Sequence, residues 1–282
     1  MIIQKSKNKK YFFILLVCIL FVVTILSISY GPVSISIKQI FEILFHRFGL
    51  IDEYSFNQIQ ETVLINIRFP RIFLAILVGI GLATSGAILQ GLFRNPLIDP
   101  GFIGVSSGAA VGAMIAIMFS NFFSFFITSF LYSFILPILA ILGSFLTTII
   151  VYRMSKIFNK TNILAMLLSG IAVNALAGAL IGLFVSISND VQLRTFTFWT
   201  LGGLDNANWF VLLITSIFIL FPFIFIYKKK NELDVFMLGD AEASNLGLKV
   251  EKLKKTIVVI SSIMVGISVS FCGMIGFVGL VT

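Results

Sequence analysis

The 282-residue chain carries too little charge to form a soluble domain, since 59% of its residues are hydrophobic and only 11% are charged. Soluble domains average about 25% charged residues, so too few remain here to cover a water-facing surface. The composition therefore indicates a protein that lies in a lipid bilayer. The net charge of +8 comes without a soluble basic segment, which excludes a nucleic-acid-binding domain.

Seven charge-poor stretches are long enough to cross the bilayer. A crossing helix needs about 20 apolar residues, and only helices or closed barrels satisfy the backbone in lipid. The stretches exceed the ~10-residue strands of a membrane barrel, which favours an all-α polytopic membrane protein with one membrane domain over residues 1–282. The predicted spans are 11–30, 66–92, 102–119, 130–152, 162–187, 208–227 and 256–276.

The distribution of Lys and Arg predicts the orientation of the spans. A cytoplasmic N-terminus places all but five of the 20 basic residues on the inner side. The positive-inside rule favours that arrangement. The first apolar run is long for a signal peptide, so it is expected to remain as a span. The five basic residues on the outer side are Lys38, Arg47, Arg68, Arg71 and Arg194.

Two arginines stand three residues apart at the outer end of the second span, in Arg68-Phe69-Pro70-Arg71. Pro70 suits the first turn of a helix, because its missing N–H would have no partner there. Both guanidiniums are expected to face the outer water, where carboxylates of another protein could bind them in bidentate pairs. Interfacial anchoring of the helix end is the alternative that these residues leave open.

A tight inner turn follows the second span, because Asn95-Pro96 and Asp99-Pro100 place two residues before prolines, where the helical conformation is disfavoured. Small residues cluster on both sides of this turn, in 79–87 and 104–113. Such residues let helices approach closely in lipid. Close helix packing is therefore predicted around the turn.

Seven motifs follow one another along the chain: Arg68–Arg71, Ser85–Gln90, Arg94–Pro100, Gly104–Ala109, Trp199–Leu204, Leu238–Gly247 and Gly273–Val281. In this order they resemble the FecCD-type permeases, which are membrane subunits of ABC importers for iron–siderophores, haem and cobalamin. The resemblance covers about residues 10–282. Because that family has roughly ten spans and this sequence stops in an apolar stretch, we expect the C-terminal part to be missing.

The resemblance implies three sets of functional residues. Arg68 and Arg71 would dock an extracytoplasmic substrate-binding protein, and Ser169, Asn174 and Gly178 would line the passage. A coupling segment within the cytoplasmic loop 235–254 would contact the cytoplasmic ATP-binding subunit. Its implied contact residues are Leu238, Gly239, Asp240, Ala241, Glu242, Ala243, Leu246 and Gly247.

The resemblance also implies a bacterial cytoplasmic-membrane location and a dimer with a second permease copy or homologue. It implies no catalytic residue, cofactor or metal of the chain's own. The sequence has no GxxxxGK[ST] motif, so ATP energy is expected to come from the partner ATPase.

An ion-coupled secondary transporter of a small organic solute is the alternative function. Such proteins usually carry ionisable residues inside their spans, whereas the predicted span cores here carry none. The cargo is not specified by the residues. The family favours an iron–siderophore, with haem and cobalamin as alternatives.

Overall fold

The computed structural model describes residues 2–51, 54–126, 129–276 and 278–281, and most of them are helical. Phe277 in the last family-like motif and the terminal Thr282 lie outside the described residues. In the first half, the helices are α1 (Ile2–Ser29), α2 (Ile37–Arg47), α3 (Gln58–Thr62), a π-helix (Val63–Arg68), α4 (Phe69–Phe93), a 3-10 turn (Pro100–Ile103), α5 (Val105–Met118) and α6 (Ser120–Phe126).

The second half continues with long apolar helices separated by short ones. A two-stranded hairpin, β1 (Lys156–Ile157) and β2 (Lys160–Thr161), joins the first two long helices of this half. The helices are α7 (Ser129–Met154), α8 (Ile163–Ile187), α9 (Asp190–Leu201), α10 (Trp209–Tyr227), α11 (Lys230–Phe236), α12 (Asp240–Asn245), α13 (Val250–Cys272) and α14 (Val278–Val281).

Six helices in the described part of the chain are long and apolar enough to cross a membrane. They coincide with six of the seven predicted spans, which confirms the all-α polytopic membrane fold. The seventh prediction, 102–119, falls on α5, which has only 14 residues. At 1.5 Å per residue α5 is about 21 Å long, shorter than the roughly 30 Å hydrocarbon core. The six spans are Lys10–Ser29, Gln58–Phe93, Ile135–Met154, Ile163–Ile187, Trp209–Tyr227 and Val250–Cys272.

The contacts within the chain divide it into two units. Unit 1 is Met1–Ala75 with Ala207–Leu212, and unit 2 is Ile76–Asn206 with Leu213–Thr282. The single membrane domain predicted over residues 1–282 stays a prediction.

Unit 1 packs a short amphipathic helix beside the start of the second span. Ser36 and Gln39 form a capping box at the start of α2, and Asn57 and Gln60 form another at the start of α3. These caps satisfy backbone N–H groups that would otherwise lack partners. A small apolar core is formed by α2, the π-helix and the loop residues beside them, and consists of Ile35, Ile40, Ile43, Phe56, Leu64 and Ile65.

Unit 2 is built on the close approach of α5 and α7. A Cβ added to Gly112 would overlap the carbonyl oxygen of Leu139, and one added to Gly143 would overlap that of Gly108. Thr147 Oγ1 donates to the Gly104 carbonyl oxygen across the same contact, at 2.7 Å. In lipid, such backbone proximity provides the van der Waals packing and hydrogen bonding that hold helices together.

Helix α13 lies inside unit 2 and is buried along most of its length. Four of its serines, at positions 261, 262, 268 and 270, are buried as well. Ser268 donates to the Met264 carbonyl oxygen at 2.7 Å, so this hydroxyl is satisfied within its own helix. Small side chains on α13 therefore permit close neighbours without leaving this polar group unpaired.

The packing of α5 against α7 predicts that Gly112→Val destabilises the chain. The added side chain has to displace the Leu139 carbonyl, and overpacking of this kind costs about 1–3 kcal/mol. Thermal unfolding of the detergent-solubilised protein, followed by circular dichroism, measures the effect. Gly178→Val is the matched control, since no described atom lies within 4 Å of a Cβ at Gly178. Equal melting temperatures for the two variants would contradict this account of the packing.

Candidate functional site

The Arg68 side chain is buried at the end of the π-helix, with only 7% of the residue exposed. Its guanidinium donates hydrogen bonds to the carbonyl oxygens of Ile28, Ser29 and Val33, all at or just after the end of α1. Arg68 therefore holds the end of the first span and the loop behind it. Gly31 leaves room for this guanidinium, since a Cβ at Gly31 would stand 2.5 Å from Arg68 Nη2 and would displace it.

The expectation that both outer arginines face water is wrong for Arg68. A buried guanidinium needs hydrogen-bond acceptors, and the three backbone carbonyls at the end of α1 supply them inside the chain. The sequence could not reveal this, because the acceptors are main-chain atoms about 35–40 positions away. Arg71 is only half-buried, so the docking prediction is carried by Arg71.

The π-helix beside Arg68 was not predicted from the sequence. It spans Val63–Arg68 and leads directly into α4. Trp209 donates its indole N–H to the Ile65 carbonyl oxygen at 3.1 Å, so a side chain supports this irregular turn. Wide helical turns of this kind are frequent at functional sites.

The coupling segment, Leu238–Gly247, consists of helix α12 and the turns on either side of it. Gly239 precedes α12 with φ +130° and Gly247 follows it with φ +84°, both in a region that favours glycine. Leu238 and Leu246 are 64% and 66% exposed. Ala241, Glu242 and Gly247 are also exposed, whereas Ala243 is buried.

Asp240 lies at the edge of unit 2, where its side chain is 45% exposed and is bonded to two cations of the same unit. Its Oδ1 accepts from Arg94 Nη2 at 2.8 Å, and its Oδ2 accepts from Lys254 Nζ at 2.6 Å. Arg94 also donates to the Phe236 carbonyl oxygen and lies 4.9 Å from the centre of the Phe236 ring. The role in contacting the ATPase stays a prediction for all eight residues of the segment.

Lys254 is buried and has a full set of acceptors. Besides Asp240, its ammonium donates to the Thr161 carbonyl oxygen at 2.9 Å and lies 3.4 Å from Glu251 Oε1. Glu251 Oε2 in turn accepts from the backbone N–H and the hydroxyl of Thr161, at 2.9 and 2.7 Å. The three N–H donors of a lysine thus match three acceptors, which makes the buried charge tolerable.

The carboxyl of Asp240 stays ionised at any physiological pH. Burial by itself would raise the pKa of Asp240, but the hydrogen bonds and charges of Lys254 and then Arg94 outweigh burial and hold the pKa below its ordinary 3.8. A depressed carboxyl pKa stabilises the folded state at neutral pH, and that contribution is lost only as the pH falls through the lowered value.

The three predicted passage residues on α8 have different surroundings. Ser169 is buried, and Gly178 is exposed beside open space. Asn174 is half-buried; it accepts from the Ser107 hydroxyl at 2.6 Å and donates to the Gly101 carbonyl oxygen at 3.0 Å. The passage assignment stays a prediction for all three residues.

Asn174 lies on the wall of a cavity of about 390 Å³. The wall combines hydroxyl, amide and carboxylate groups with backbone and apolar surface. Its described lining residues carry a single carboxylate, that of Asp99, and no Lys or Arg. The lining residues are Asp99, Gly101, Phe102, Ser106, Ser107, Asn174, Met274, Ile275 and Gly276.

Motifs that are far apart in the sequence meet in pairs in unit 2. Gln90 Nε2 donates to the Gly279 carbonyl oxygen at 2.8 Å, which joins the second-span motif to the last one. The Gly203 N–H donates to the Cys272 carbonyl oxygen at 2.7 Å, beside the start of that last motif. Sequence reasoning found these motifs but gave no signal for their pairing, because backbone carbonyls provide the acceptors.

A protein-family model described as the FecCD transport family matches residues 19–282. The hemin transport system permease protein HmuU of Yersinia pestis is 38% identical over 94% of this chain and 75% of its own length. The molybdate import system permease protein MolB of Haemophilus influenzae is 33% identical over the same shares of the two chains.

A solved structure of a metal-chelate type ABC transporter in an inward-facing conformation has a similar fold. It superposes on this chain with a TM-score of 0.78 at 31% sequence identity. The match covers 94% of this chain and 77% of the other. Fold and sequence thus agree over nearly the whole chain.

The geometry around Arg68 predicts that Arg68→Gln loosens the end of α1. Losing the guanidinium leaves partly buried carbonyl oxygens without this donor, and each such loss costs up to about 1–3 kcal/mol. Faster hydrogen–deuterium exchange over residues 28–34, together with a lower melting temperature, is the expected result. Arg47→Gln is the control, because Arg47 is an exposed arginine of the same unit. Unchanged exchange over residues 28–34 would rule out this holding role for Arg68.

Proposed function

Because this chain belongs to the FecCD transport family and is a permease subunit of an ABC importer, we propose that it forms the membrane passage for an iron chelate, either a siderophore complex or haem. A permease of this kind is a transport component rather than a catalyst, and it works with an ATPase and a binding protein. The family match favours this function over the ion-coupled secondary transporter.

The choice of cargo rests mainly on the likeness to the hemin permease, at 38% identity. The likeness to the molybdate permease makes a small oxyanion a second candidate cargo. The cavity beside Asn174 disfavours a small dianion, since its described wall carries the Asp99 carboxylate and no basic side chain. Cobalamin is the remaining alternative among the cargoes of the permeases that the sequence resembles.

We place the N-terminus in the cytoplasm, from the distribution of basic residues, and the protein in the bacterial cytoplasmic membrane. The exposed residues of the coupling segment would then meet the ATPase, and Leu238 and Leu246 would be its apolar contacts. A second permease copy or homologue would complete the passage. Ser169, Asn174 and Gly178 are proposed to line that passage.

Transport would follow from differential binding of the partners to two conformations of the permease. A partner shifts such an equilibrium only by the difference in its affinity for the two states. ATP binding by the partner ATPase would favour one state. The loaded binding protein would bias the same equilibrium from the opposite side of the membrane.

Reconstitution of the chain with an ATPase subunit and a binding protein in proteoliposomes tests this function. We expect ATP-dependent uptake of a ferric siderophore or haem, because the permease has to draw its energy from the ATPase. Cobalamin and molybdate are tested in parallel, and preferential uptake of either would contradict the cargo proposal. Uptake that persists without the ATPase would contradict the permease function as a whole.

Docking of the binding protein is tested by Arg71→Glu. Charge reversal should weaken binding by at least about tenfold at low salt, and the difference should shrink as salt screens the charges. Binding to the reconstituted importer is measured at two ionic strengths. Arg47→Glu, a reversal at another exposed outer arginine, serves as the control. Equal affinities of Arg71→Glu and the unmodified protein at both ionic strengths would remove Arg71 from the docking surface.

A further inference from the structure

Four separate parts of unit 2 meet at the carboxylate of Asp240 and the ammonium of Lys254. They are the residue after α4, the strand before α8, the first turn of α12, and α13. Arg94 comes from the first, Thr161 from the second, and Lys254 with Glu251 from α13. The coupling segment is therefore bonded directly to Arg94 after α4 and to Lys254 in α13, and through Lys254 to Thr161 before α8.

Each carboxylate oxygen of Asp240 binds a different partner in this cluster. Oδ1 is bound to Arg94, which follows α4 directly, while Oδ2 is bound to Lys254 in α13. Lys254 passes the link on, because it also donates to the Thr161 carbonyl just before α8. A displacement of α12 would therefore act directly on Arg94 after α4 and on Lys254 in α13, and on the start of α8 only through Lys254.

The charges of the cluster balance, since Arg94 and Lys254 face Asp240 and Glu251. Lys254 is 3% exposed at its side chain, so water cannot replace a lost partner there. The buried Lys254 link resists independent movement of the parts that it joins, whereas the Arg94–Asp240 pair, with side chains 35% and 45% exposed, is the weaker link. The exposed leucines of the same segment have no such bonds and face outward.

We propose that Asp240 is a positioning residue that connects the coupling segment to α4, α8 and α13 through Arg94 and Lys254. This inference rests on the proposed function, since it gives the route by which the ATPase moves the permease helices. Within the coupling segment, it separates two tasks. Leu238 and Leu246 contact the ATPase, and Asp240 transmits the movement inward.

The test uses the full importer in proteoliposomes and compares cargo transported per ATP hydrolysed, measured per assembled complex. Asp240→Asn removes the charge at nearly unchanged size and should lower this ratio about fivefold or more, within the usual range of coupling between sites. Stimulation of ATP hydrolysis by the loaded binding protein should fall in parallel. Lys254→Gln breaks the same link from the other side and should have the same effect.

Two further variants separate positioning from simple loss of structure. Asp240→Glu keeps a carboxylate and should restore most of the transport ratio. Asp234→Asn changes an exposed aspartate of α11 and should behave like the unmodified protein. Leu238→Asp should instead reduce recovery of the ATPase with the permease, because it alters the contact surface rather than the link.

The outcomes distinguish this inference from the function on which it rests. If the unmodified importer couples ATP hydrolysis to uptake and Asp240→Asn couples equally well, the positioning role is wrong and the permease function stands. If Asp240→Asn loses the ATPase as Leu238→Asp does, Asp240 belongs to the contact surface and the positioning role is also wrong. An unmodified importer without ATP-dependent uptake would overturn both.

Discussion

The hydrocarbon interior offers no water to a charge or a backbone polar group, and this constraint determines where every ionic group of the chain can lie. Most charged residues consequently stand at helix ends or in loops. Among the described residues, the two buried cations bind acceptors within the chain: Arg68 binds three backbone carbonyls, and Lys254 binds a carbonyl and two carboxylates. Both buried cations tie together segments that are far apart in the sequence.

The same constraint shapes the packing of the spans. Apolar side chains gain little from leaving lipid for a protein interior, so helices associate through close contact and hydrogen bonding. Glycines at 108, 112 and 143 bring α5 and α7 together, and Ser262 of α13 donates to the Thr148 hydroxyl of α7. Because α5 has only 14 residues, it is too short to span the lipid core by itself. Its position is therefore set by packing against these neighbours.

The fold was largely predictable, because the positions of long apolar runs follow directly from composition and charge. The family was predictable as well, since several spaced motifs occur in order. The conformation of individual functional residues was not. Arg68 and Arg71 look equivalent in sequence. In the structure Arg68 is buried and bonded to main-chain carbonyls, whereas Arg71 is half-exposed. Asp240 looks like a surface residue of a charged loop, and the sequence gives no sign that Arg94 and Lys254 bind its two oxygens.

The short hairpin between α7 and α8 limits how this protein can vary. Phe158 and Asn159 both have positive φ, the arrangement of a two-residue turn that fixes the pairing of Ile157 with Lys160. A single inserted or deleted residue would shift this register and turn the neighbouring Thr161 to the opposite face. Most loops tolerate changes of length, but this one also positions the Thr161 carbonyl oxygen that accepts from Lys254. Related chains that keep this acceptor should therefore differ here by substitution and keep the loop length constant.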